Sequence, residues 1–244
     1  MTMPIEIDRR DLYRWIVTGL LTLVSLVAIV GGGWALVRGK SPVDRALDDV
    51  RRLPLIGLAM DNTPGAESRM RKAIEEELSG PPRPGLSRPI SVMVDLRRQD
   101  IVPALRAADD ASALAALGAR ADFVRYLRRA DPASCRQFAL GNLQRPDLLE
   151  AEGRELFGEY VQALQAAYRS GKAAGKPQPL LTRDALTDAL KQAGFTKMDF
   201  DRLKAFQTLS NEVSCDVEIK VDAAAERLAP QTRGPFARYV LSSN

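Results

Sequence analysis

Residues 15–37, WIVTGLLTLVSLVAIVGGGWALV, form a run of 23 residues without a charge, and this run constrains everything after it. At about 1.5 Å per residue, a helix of that length crosses a hydrocarbon layer of roughly 30 Å, so the stretch reads as a transmembrane span. Tyr13 and Trp15 at one end and Trp34 near the other stand where aromatic rings settle at the headgroups. A cleaved signal has a shorter apolar region, about 7 to 15 residues, before its small-residue site. Gly33 and Ala35 supply such a pair here, but the length of the run favours a retained anchor. Gly31, Gly32 and Gly33 either let another membrane helix approach closely or loosen the last turn before the linker.

Basic residues flank both ends of the span. Arg9, Arg10 and Arg14 precede it, and Arg38, Lys40, Arg45, Arg51 and Arg52 follow. The count alone favours a cytoplasmic domain, yet long domains are translocated largely regardless of charge. A short polar arm over residues 1–14 followed by one span is the layout of a signal anchor. The expectation is a single-pass inner-membrane protein with its C-terminal domain in the periplasm or its equivalent, and a cytoplasmic-facing domain is the alternative.

About 200 residues remain beyond the span, enough for a core that needs no staples. Lys and Arg number 35 against 31 Asp and Glu, and a net charge of +4 is too small a surplus to point to nucleic acid. The chain has no histidine, which removes the Ser-His-Asp and Cys-His devices and histidine metal ligation. Two cysteines alone cannot complete a four-ligand zinc site. Neither a cofactor nor a catalytic constellation is expected.

Ala, Leu, Arg and Asp dominate and β-branched residues are sparse outside the span, so the fold class expected is all-α, a helical bundle behind one membrane helix. Ser41 with Pro42 caps a first helix whose stripe is Val43, Ala46, Leu47 and Val50. A short apolar segment follows over residues 53–60, then a helix opened by Thr63 and Pro64 and stopped by Gly80. Its Glu75, Glu76 and Glu77 fan around the helix and read as a solvated face. Residues 81–89, rich in proline, form a linker between a membrane-proximal section, 41–80, and the main helical domain, 90–244.

Within that domain, residues 90–95 alternate like a strand but lack a partner of equal strength, so a helix is favoured. Asp109 and Asp110 stand at the start of a helix striped by Leu114, Leu117, Ala121, Val124 and Leu127. Asp131 with Pro132 opens the next, Pro146 with Asp147 the longest, and residues 171–179 read as a loop. Thr182 caps a helix over residues 183–193. Thr196 and Asp199 then form a capping box for a long helix reaching Leu228, with a local strand at residues 217–221 as the alternative, and Phe236, Tyr239 and Val240 close the chain in a short helix.

Two sets of residues stand out as candidate sites. Cys135 and Cys215 form a disulfide if the domain lies outside the cytoplasm and are buried small hydrophobes if it lies inside. Arg120, Arg125, Arg128 and Arg129 suggest a basic face able to meet anionic lipid or an acidic partner, or else a solvated surface.

The function expected is a membrane-anchored, non-enzymatic interaction or assembly module of a bacterial-type envelope, in contact with lipid through its anchor and with a protein partner through its domain. A cytoplasmic-facing tethered scaffold is one alternative. A carboxylate-based envelope glycan hydrolase is another, since two carboxylates suffice for that chemistry. Glu67 followed by Ser68 is similar to the Glu-Ser pair of soluble lytic transglycosylases, a likeness of two residues with no other motif of that family around it.

Overall fold

The structure is a computed structural model that describes residues 40–80, 87–141, 143, 149–176, 178–179 and 181–243. The polar arm expected at 1–14, the span expected at 15–37 with Gly31, Gly32 and Gly33, and the proline cluster at 81–86 lie outside the described residues. Among the described residues every regular element is helical, and no helix is long and apolar enough to cross a membrane.

Helix α1, Pro42–Arg51, starts at a capping box in which the Ser41 hydroxyl accepts from the Asp44 N–H at 3.1 Å and Asp44 accepts from the Ser41 N–H at 3.3 Å. The short apolar segment after it is helix α2, Pro54–Asn62, with Pro54 at the first helical position, where a missing N–H costs nothing. Helix α3, Ala66–Ser79, begins beyond Thr63 and Pro64, and its cap is Gly65 in the left-handed region at φ 70°.

Arg88 and Pro89, expected in the linker, open helix α4, Arg88–Leu96, which buries Ile90, Met93 and Leu96 at helical spacing. The apparent alternation of residues 90–95 is therefore incidental. A π turn, Arg97–Ile101, joins α4 to helix α5, Val102–Ala107. Pro103 cannot donate to the carbonyl four residues earlier and its ring crowds that carbonyl, which the wider turn relieves.

Helix α6, Asp110–Ala130, is the central element, and helix α7, Pro132–Ala139, turns back from its end. Helix α8, Ala151–Ala174, packs along α6 and α5. Its N-cap is Glu150, while the expected start at Pro146 lies outside the described residues. Residues 171–174, expected in a loop, are its last turn, and there is a packing reason. A Cβ on Gly171 would stand 1.7 Å from the Ala104 carbonyl oxygen, so the glycine lets α8 lie directly on the backbone of α5.

Helix α9, Arg183–Gln192, is capped by Thr182, and helix α10, Lys197–Lys204, by the Thr196 and Asp199 capping box. The long helix expected beyond it is instead three pieces. After a 3-10 turn, Phe206–Thr208, Ser210 caps a new helix, α11, Asn211–Asp222, by accepting from the Val213 N–H at 3.3 Å. The apolar spacing runs unbroken through that cap and hides it. Residues 217–221 are helical, not extended. Helix α12, Ala224–Arg227, leads to α13, Pro230–Ser243, which is longer than the short closing helix expected and packs on α6 and α5.

One hydrophobic cluster runs from α1 to α13. Leu47, Met70 and Ile74 of residues 41–80 bury in the same cluster as Ile90, Leu117, Tyr168 and Phe236. Residues 41–80 are thus packed on the larger section. A second cluster, built on Phe123, Val124 and Leu127, surrounds the two cysteines.

Candidate functional site

The strongest concentration of unusual chemistry lies where α11 meets α6 and α7. Cys215, Glu218 and Asp222 follow one another at three and seven positions along α11, so at about 100° per residue they share one face. Cys215 is bonded to Cys135 of α7 as a disulfide, with the Cα atoms 5.9 Å apart and both residues wholly buried. Phe123 closes over this region, edge-on to Phe138 at 5.0 Å and tilted against Phe157 at 5.3 Å.

Arg120 of α6 reaches the other two positions of that face. One guanidinium nitrogen donates to Asp222 and another to Glu218, while the Phe138 ring lies 5.4 Å from the guanidinium carbon. The side chains are 2% exposed for Arg120, 11% for Glu218 and 0% for Asp222. Burial opposes the charge on Arg120, but Asp222 and Glu218 carry its pKa above the ordinary arginine value. For Asp222 burial prevails over the attraction of Arg120, and with Glu218 repelling from the next turn its pKa is pushed up to about 7. Charge adds to burial in that direction, because one guanidinium cannot neutralise two carboxylates. Among the described residues the Asp222 Oδ2 atom has no hydrogen-bond partner.

The four arginines do not make one basic face. Relative to Arg120, Arg125, Arg128 and Arg129 are rotated by between about 80° and 180°, which leaves Arg120 alone inside the apolar stripe. The outer three are each paired. Arg125 meets Asp122 at 2.6 Å and Glu226 at 3.7 Å, Arg128 meets Asp216 at 2.7 Å, and Arg129 meets Glu152 at 3.3 Å. The aspartates at the start of α6 also divide their roles. Asp109 caps the helix by accepting from the Ser112 N–H at 2.7 Å, whereas Asp110 pairs with Arg238 of α13.

Glu67 borders an open cleft of about 650 Å³ whose lining includes Asp61, Thr63, Ser68 and Arg71. Its carboxylate lies 2.5 Å from Arg51, which also holds Asp61 at 3.2 Å, and Arg71 is turned to Asp44 at 2.7 Å. The charges around this cleft therefore face one another. At the π turn, buried Asp100 accepts from the Tyr168 hydroxyl and from Lys172 at 2.6 Å, so both of its oxygens are partnered. Burial, and then the adjacent Asp100, push the Tyr168 pKa up.

Glu218 and Asp222 escape a search for motifs because they belong to none. The signal that marks them is their register with Cys215, and for Arg120 its place three after Leu117 and four before Val124. Among the described residues no group of three acidic or thiol side chains is placed to hold a metal ion. No protein-family model, no curated protein and no solved structure matches this chain.

Proposed function

We propose that this chain is a membrane-anchored, non-enzymatic interaction module of the cell envelope. The span at residues 15–37 holds the helical domain on the side of the membrane opposite the N-terminal arm. One juxtaposition carries the reading: an uncharged run of spanning length stands directly before a helical domain whose only two cysteines are joined and buried. Disulfides of this kind persist in oxidising compartments and are rare in the cytosol. Lipid contacts the anchor, and a protein partner contacts the domain.

The test is affinity capture of the tagged full-length chain from membranes in mild detergent, beside a control in which residues 1–40 carry an unrelated soluble domain. A protein enriched on the full-length chain and not on the control is expected. Recovery of the chain alone would contradict the interaction reading.

A further inference from the structure

The face of α11 that carries the disulfide also carries more negative charge than its surroundings neutralise. Asp222 and Glu218 share Arg120, and all three are shut away from water. With both acids ionised the cluster holds one uncompensated negative charge in the interior, where solvation cannot offset it. Among the described residues one oxygen of Asp222 has no donor, so a proton there breaks none of the hydrogen bonds they make.

Among the described residues no second cation contacts Asp222 or Glu218, and part-buried Arg97 of the π turn acts on Tyr160. Arg125 of α6 attracts Asp222 from a distance but is bonded to Asp122 and Glu226. Tyr160 of α8 stands beside Arg120, its pKa raised by burial. On α7, Phe138 offers a ring and Arg136 is turned away to the Gln207 carbonyl. Lys220 of α11 points to Asp199 of α10 at 2.6 Å, and Glu226 of α12 faces Arg125.

We infer that the Arg120–Glu218–Asp222 cluster is a one-proton switch that fastens α11 to α6 more firmly as the surrounding medium acidifies. Asp222 binds its proton more tightly folded than unfolded, its pKa standing near 7 against an ordinary 3.8. Its contribution to stability is therefore complete below about 3.8 and is lost as the pH rises through about 7. The inference holds on either side of the membrane. Its consequence is largest where the domain meets a medium of variable pH.

The experiment uses the full-length protein in detergent micelles with its aspartates labelled at the carboxyl carbon. Nuclear magnetic resonance is followed from about pH 8 to about pH 4, and the Asp222 signal is assigned through its backbone amide. A midpoint near 7 for Asp222 is expected. Titration of every aspartate below about pH 5 would overturn the inference. In urea unfolding, the folding constant of the wild type relative to Asp222→Asn should fall by up to about tenfold for each pH unit gained within that window. Parallel pH dependences for the two proteins would likewise overturn it. If Asp222→Asn does not fold, the wild-type titration decides alone.

Discussion

Arg120 of α6 holds Asp222 of α11 across 102 residues of sequence, and through it the two halves of the described chain are joined by charge inside the protein. The pair is worth most when it is broken from one side. Arg120→Met leaves two acids buried without a partner and should cost about 3–5 kcal/mol in urea unfolding of the full-length protein. Adding Glu218→Gln and Asp222→Asn to that variant should recover most of the loss, because the penalty lies in the orphaned charges rather than in the missing bridge.

The disulfide lies on the same face, about one turn from Glu218 and two from Asp222. It closes a loop of 80 residues, and in the chain-entropy view its removal releases on the order of 4 kcal/mol of constraint on the unfolded chain. Replacing Cys135 and Cys215 together by Ala should lower the urea midpoint accordingly. Since both sulfurs are buried, the native protein should resist mild reductant until it unfolds, which a thiol titration with and without urea checks.

Gly171 is the contact point of α8 on α5. In Gly171→Ala the new methyl meets the Ala104 carbonyl, and the two helices must part to admit it. Overpacking of this kind costs typically 1–3 kcal/mol, roughly, and should appear as a lower melting temperature, whereas Gly158→Ala, whose Cβ meets nothing within 4 Å, should not lower it.

Asp199 behaves oppositely to Asp222. Lys220, Thr196 and the Thr196 backbone N–H hold its carboxyl down at about 2, below the ordinary 3.8. Its stabilising contribution is present above about 3.8 and lost as the pH falls through about 2. Asp199→Asn should therefore be less stable than the wild type near neutral pH, with the difference closing in that acid window, as read by the urea midpoint at each pH.

Helical character was legible because capping chemistry and apolar spacing agree at most elements: Ser41 with Pro42, Asp109, Asp131, Thr182 and Thr196 each cap a helix where the sequence places a start. Boundaries failed where a local signal outran the tertiary one. Spacing from Phe206 to Val213 runs through the Ser210 cap, and the glycine and lysines near residue 171 look like a loop until α5 is packed against them.

The buried charge cluster was only half legible. Arg120 stands in an apolar stripe, which sequence shows, but its partners lie about a hundred residues away, and nothing local joins them. Grouping Arg120 with Arg125, Arg128 and Arg129 counted sequence neighbours where the helix turns them to different sides.

The membrane reading is tested most directly by adding one surface thiol to the native chain. Met198 is 59% exposed and lies on α10, away from the disulfide, so Met198→Cys supplies a reactive group while Cys135 and Cys215 stay bonded. Cells with a permeabilised outer layer and an intact inner membrane are treated with a membrane-impermeant maleimide. Labelling of Met198→Cys before lysis, unchanged by lysis and absent from the wild type, is the result expected of a domain held outside. Labelling that appears only after the inner membrane is broken would contradict it.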